Sequence, residues 1–172
     1  MRSNDIIRAG LGVALIVFGL DQATKWWILG FVMQPPQTLP VTSFFNLVLG
    51  WNRGVSFGMF NHNSAINAWL FTGLALVIVA VLLLWLRKAD RRLIGFAIGL
   101  IIGGALGNAL DRLRFGAVAD FLDFHVGGYH WPAFNVADSG ITIGAALLLA
   151  DALFSRPEKP KNGAPKRTSG PR

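Results

Sequence analysis

From Ala68 to Leu86 the chain runs nineteen residues without a charged side chain, close to the roughly 20 apolar residues a helix needs to cross a bilayer. Three further segments share that character: Ile7–Leu29, Leu93–Leu110 and Val136–Phe154. A 172-residue chain that is 53% hydrophobic and only 15% charged, with a mean hydropathy of +0.49, matches a membrane protein better than a soluble domain. The expectation is an all-α membrane protein with four transmembrane helices. One domain covers residues 1–154, with spans at about 7–29, 67–86, 93–110 and 136–154.

The first apolar run, Ala9–Leu20, could be mistaken for a signal peptide. No small-residue cleavage site follows it, and Asp21 and Lys25 interrupt where a cleavable core would end. It therefore reads as a spanning helix, with Trp26 and Trp27 as interfacial anchors. Asp21 and Lys25 stand four residues apart and can pair on one helix face; Lys25 could equally snorkel to the interface. The segment QPPQTLP at 34–40 then breaks any helix. Next comes VTSFFNLVLGWNRGVSFGMF, rich in β-branched and aromatic residues and interrupted by Asn52-Arg53-Gly54. That is a strand–turn–strand pattern, with Asn52 in the turn. An isolated hairpin is marginal in water, so this β-rich region, about 38–60, is expected to rest on the membrane surface or against the helices.

The third span carries glycine at 95, 99, 103 and 107, a four-residue ridge that permits close helix approach. The ridge would serve packing within the bundle or, alternatively, a dimer face. Asp111 continues it and Asn108 lies beside it, so both should face the bundle. Gly140 and Gly144 repeat the spacing in the fourth span. Residues 155–172 are rich in Pro, Gly, Lys and Arg and read as a disordered basic tail.

With four spans, the termini and the 87–92 loop share one side. They hold twelve of the sixteen Lys and Arg residues, leaving Lys25, Arg53, Arg112 and Arg114 opposite. The positive-inside rule puts both termini in the cytoplasm. Asp21, Asn52, Asp111, Asp120, Asn135 and Asp138 then all fall near the outer face. The net charge of +7 is explained by these short segments beside apolar runs, so no nucleic-acid partner is expected.

The chain has no cysteine, which excludes disulfides and thiol nucleophiles. His62, His125 and His130 are too scattered for a zinc motif, so neither metal nor cofactor is expected. Ionisable groups at membrane depth are expensive and point to function. Asp120 in VADF and Asp138 in NVADS flank apolar segments, and a chain folding back between them would bring both to one membrane face. Paired carboxylates cannot both ionise, which is how aspartic proteases activate water. The same two residues also fit a plain structural role, Asp138 at a helix start and Asp120 in a loop. Their chemistry alone leaves the two readings open.

Taken together, DQATK at 21–25, NRGVSFG at 52–58, GGALGN with DR at 103–112, VADF at 118–121 and FNVADS at 134–139 resemble the lipoprotein signal peptidases (signal peptidase II) of bacteria. The resemblance runs from about Asp21 to Ile141. It departs at Val55-Ser56, where many members carry two alanines, and in the basic tail. It implies a membrane aspartic endopeptidase cutting prolipoproteins just before the cysteine that carries diacylglycerol. It places the catalytic pair on Asp120 and Asp138. Polar residues around substrate fall on Asn52, Asn108, Arg112 and Asn135, with Asp21, Lys25 and Asp111 in support. It further implies a small extracytoplasmic sheet that helps clamp substrate. The expected partners are lipidated prolipoproteins and membrane lipids, and the expected state is a monomer in the inner membrane, its active site periplasmic. Asn135 should cap the fourth helix and set Asp138 in its first turn, making Asp138 the base and Asp120 the holder of the shared proton. The other class open to such residues is a proton-coupled transporter or channel subunit, although no helix is visibly broken at mid-membrane.

Overall fold

The computed structural model describes residues 3–54 and 64–154. The basic tail and residues 55–60, the second half of the expected hairpin, lie outside the described residues. Among the described residues four helices are long and apolar enough to cross a membrane: α1 (Ser3–Trp27), α2 (Ser64–Leu86), α3 (Arg92–Phe115) and α4 (Val136–Phe154). Between and beside them run four strands: β1 (Leu39–Pro40), β2 (Phe45–Asn52), β3 (Val118–Val126) and β4 (Tyr129–His130).

The buried positions of α1 are Ile6, Gly10, Ala14, Val17, Asp21, Lys25 and Ile28, steps of three and four that make one seam. In α2 the corresponding seam is Ala68, Thr72, Val79, Leu82 and Leu86. The other faces, among them Leu15, Leu70, Val77 and Leu84, expose bulky apolar side chains, as a bilayer solvent allows. α3 is the central helix and packs on α1, α2 and α4, whereas α1 barely touches α2. The glycine ridge explains that position. A side chain at Gly95 would meet Ile6, one at Gly99 the carbonyl of Gly10, one at Gly103 that of Ala14, and one at Gly107 the carboxylate of Asp21. The ridge is thus filled by α1 within the molecule, which answers the dimer-face alternative. Gly104 and Gly144 do the same between α3 and α4, against Ala137 and Ala97.

α1, α2 and α3 begin at Ser3, Ser64 and Arg92, ahead of the expected 7, 67 and 93, and two helix ends differ from expectation as well. α1 does not stop at Leu29 but closes in a π-helical turn, Ile28–Val32, before the proline-rich segment. α3 runs past Leu110 to Phe115, where Gly116 adopts a left-handed conformation (φ 70°) and its N–H bonds the Arg112 carbonyl. The extension places Asn108, Asp111 and Arg112 on the last two turns of one rigid helix.

The larger correction concerns the 111–135 connection. It contains β3, nine residues paired antiparallel with β2, so Asp120 sits on a strand and not in a loop. The sheet order is β1-β2-β3-β4, all antiparallel. Gly50 faces Asp120 and Asn52 faces Val118, with an irregularity in β2 between Leu47 and Gly50. β3 and β4 are joined by Gly127-Gly128, both at positive φ (58° and 84°), as a two-residue hairpin turn requires. A small core of Ile28, Met33 and Phe121, flanked by Leu39, Leu47 and Val136, ties the sheet to the ends of α1 and α4.

Candidate active site

The seam of α1 carries Asp21 and Lys25 into the bundle, where they are 0% and 3% exposed. Lys25 Nζ lies 2.9 Å from Asp21 Oδ2 and 2.8 Å from Asp111 Oδ2, and donates to Asn108 Oδ1 at 3.1 Å. Snorkelling is therefore ruled out for Lys25; two carboxylates and an amide offset the desolvation of the ammonium. Asp111 also accepts the backbone N–H of Ala119 at 3.2 Å, which pins the start of β3 next to Asp120. Gln22 was not singled out from the sequence, yet its amide bridges Asp21, Asp111 and the Gly107 carbonyl at 3.1–3.3 Å. Its place inside DQATK, one residue from Asp21, was the available signal.

At the start of α4, Asn135 and Asp138 bond reciprocally. The N–H of Asp138 donates to Asn135 Oδ1 at 2.9 Å, and the N–H of Asn135 donates to Asp138 Oδ2 at 3.2 Å. This is a capping box, and it sets the Asp138 carboxylate over the helix N-terminus, where negative charge is favoured. The other oxygen of Asp138 accepts Asn108 Nδ2 at 2.7 Å. Asn135 is completely buried and donates through Nδ2 to Asp120 Oδ1 at 2.7 Å. One side chain thus caps against Asp138 and holds Asp120.

Asp120 is buried at 4% exposure. Burial pushes its pKa up to about 7, the neighbouring Asp138 adds to the rise, and hydrogen bonds from Asn52 and Asn135 and the charge of Lys25 oppose it. Asn52 closes the expected turn, its Oδ1 accepting the N–H of Gly54 at 3.0 Å, and its side chain also reaches Asp120. Arg112 donates to the Asn108 carbonyl at 3.4 Å and lies 5.5 Å above the Phe71 ring, while its buried Nε–H has no hydrogen-bond partner among the described residues. All nine residues singled out from the sequence, Asp21, Lys25, Asn52, Asn108, Asp111, Arg112, Asp120, Asn135 and Asp138, gather where α1, α3 and α4 meet the sheet.

A second polar group lies apart on the sheet. Asp123 accepts Asn46 Nδ2 at 2.8 Å and sits 2.9 Å from His130 Nδ1. Burial works to raise its pKa, but the bonds from Asn46 and His130 prevail and hold it below the ordinary carboxylate value. Among the described residues no group of three or more His, Asp or Glu is placed to hold a metal ion.

The family model described as signal peptidase (SPase) II matches residues 13–154, which contain every residue of this cluster. The chain belongs to the signal peptidase II family. Similar proteins include a lipoprotein signal peptidase of Ralstonia nicotianae, 52% identical over 146 residues (84% of this chain, 82% of that one). Another, from Azoarcus sp., is 49% identical over 160 residues (92% and 90%). Two solved chains, each described as a bacterial membrane enzyme structure, superpose with TM-scores of 0.75 and 0.73 at 31% identity. They cover 87% and 89% of this chain, and this chain covers 96% and 94% of them. As a member of the signal peptidase II family, the chain is a peptidase and a multi-pass membrane protein.

Proposed function

We propose that the chain is an aspartic endopeptidase of the bacterial inner membrane that removes the signal peptide from diacylglyceryl-modified prolipoproteins, cutting immediately before the lipidated cysteine. The observation that carries this reading is the bridging of Asp120 and Asp138 by one buried side chain, Asn135. Of the pair, Asp120 is the carboxyl whose pKa lies near 7, so it holds the proton. Asp138, backed by two N–H donors and a helix N-terminus, acts as the base.

In the reaction, Asp138 takes a proton from a water between the two carboxyls as the water oxygen attacks the scissile carbonyl. Asp120 O–H hydrogen-bonds the carbonyl oxygen and stabilises the charge that develops there. The proton gained by Asp138 passes to the departing amine as the C–N bond breaks, leaving a carboxylic acid and a free N-terminus. No covalent intermediate forms. The Nε–H of Arg112, without a partner among the described residues, supplies a donor for a substrate carbonyl. A signal peptide already lies in the bilayer and a lipid anchor holds the cleavage site near its surface, so confinement replaces much of the binding energy a soluble protease needs. The split of Lys and Arg supports an orientation with both termini in the cytoplasm and the site at the periplasmic face.

The test is cleavage in detergent of one precursor with and without its diacylglyceryl group. Cleavage of the lipidated form alone, lost in Asp120→Asn and in Asp138→Asn, supports the reading; retention of activity in either variant overturns it.

A further inference from the structure

Each carboxyl of the pair receives a side-chain amide N–H: Asp138 from Asn108 and Asp120 from Asn135, both at 2.7 Å. An amide can present either its oxygen or its nitrogen to a given neighbour. With the oxygen turned toward a carboxylate, two acceptors would face each other in a buried site, and both would lose their bond. Something must therefore hold each amide the right way round.

For Asn135 the constraint is local. The backbone N–H of Asp138 only donates, so the atom facing it at 2.9 Å has to be Oδ1, and Nδ2 is left for Asp120. For Asn108 the constraint comes from another helix. Lys25 Nζ is a donor without an acceptor, and it meets the Asn108 side chain at 3.1 Å. Asn135 Nδ2 approaches the same atom at 3.3 Å, also as a donor. Two donors on that atom fix it as Oδ1, and Nδ2 has to point at Asp138.

We infer that Lys25 is a positioning residue for the peptidase reaction: through the orientation of the Asn108 amide it keeps an N–H donor on Asp138. On the same geometry Asn108 and Asn135 serve the carboxyl pair first, ahead of the contacts to substrate expected of them. Asp21 and Asp111 take part by holding the ammonium where it can act only as a donor to Asn108. The inference rests on the endopeptidase reading above.

Lys25→Met alone strands two buried carboxylates and endangers folding. Lys25→Met combined with Asp111→Asn keeps the net charge of the cluster and leaves an acceptor for the Ala119 N–H. In this variant kcat should fall about 10- to 100-fold, the range for a residue acting through a functional group's partner, with KM changed less than about twofold. Adding Asn108→Ala should then lower kcat little further, because the two changes remove the same donor. Asn108→Asp is the second variant and does not depend on the first one folding. It keeps shape and strengthens the contact to Lys25, whose ammonium favours the ionised form of the new carboxyl, and so offers Asp138 no donor; it should be as slow as Asn108→Ala. Full kcat in Asn108→Asp, or multiplicative losses from Lys25→Met/Asp111→Asn and Asn108→Ala, would overturn the inference while leaving the peptidase reading intact. If the unmodified chain cleaves no lipidated precursor, the peptidase reading itself fails, and the inference with it.

Discussion

Asp21, near the end of α1, accepts the backbone N–H of Ala137 in the first turn of α4 at 2.9 Å across 116 residues of sequence. Its other oxygen pairs with Lys25 at 2.9 Å. One carboxylate thus satisfies an otherwise unpartnered helix donor and anchors the ammonium that orients Asn108. The first and last helices are fastened at the level of the carboxyl pair, which fixes Asp138 relative to α1. Asp21→Ala removes these bonds, with the one from Gln22, and leaves Lys25 with Asp111 and Asn108. It should cost about 3 kcal/mol, the low end for breaking a buried ion pair, seen as a lower unfolding temperature in detergent and a lower steady-state level.

Arg112 and Asp120 should separate in kinetics. Arg112 cannot serve as acid or base near neutral pH, and its place above Phe71 suits positioning. Arg112→Ala should retain measurable cleavage with raised KM or lowered kcat, whereas Asp120→Asn should show none above background. An Arg112→Ala enzyme that binds lipidated precursor normally but is as inactive as Asp120→Asn rules out the positioning role.

The raised pKa of Asp120 makes activity and stability pH-dependent in a stated direction. In the proposed mechanism Asp120 acts protonated, so the rate should fall on the alkaline side as pH rises through about 7. For stability, a carboxyl whose folded pKa lies above its ordinary 3.8 favours the folded state fully below that value. The contribution is lost progressively as pH rises from 3.8 to about 7 and stays lost above. In Asp138→Asn the neighbouring charge is gone but burial, the larger cause, remains. Carboxyl NMR of that variant should show Asp120 titrating below 7 and still above 3.8. A value at or below 3.8 would mean that burial does not control this group.

The glycine ridge should tolerate no β-branched residue. At Gly99 an added side chain meets the Gly10 carbonyl and Val13 of α1, both parts of a packed helix. Gly99→Val should destabilise by about 1–3 kcal/mol through overpacking, readable as early thermal unfolding. Gly12, with nothing within 4 Å of such a position, should accept alanine at little cost.

Topology is checked with reporter fusions. A reporter at Asp90, in the basic loop between α2 and α3, should report cytoplasm, and one at Gly128, in the β3–β4 turn, periplasm. The reverse pattern would refute the orientation drawn from the Lys and Arg split.

The number of helices, the close packing of the glycine ridge and most of the polar cluster, Gln22 excepted, were legible in the sequence. Apolar length and small-residue spacing are local signals, and charged groups in a lipid-spanning chain have few places to go. The valine and phenylalanine residues of VADFLDFHV before Gly127-Gly128 suit strand β3, but a β signal depends on its partner. That partner is β2, more than sixty residues earlier in the chain, so the pairing that makes Asp120 a strand residue is a long-range fact. The same holds for Lys25. Its spacing from Asp21 predicts their pairing, since i and i+4 share a helix face. Its contacts with Asp111 and Asn108 lie more than eighty residues away. Which atom of Asn108 faces which neighbour was decided only when three helices and a strand closed around it, because an amide's direction is set by the donors and acceptors surrounding it in space.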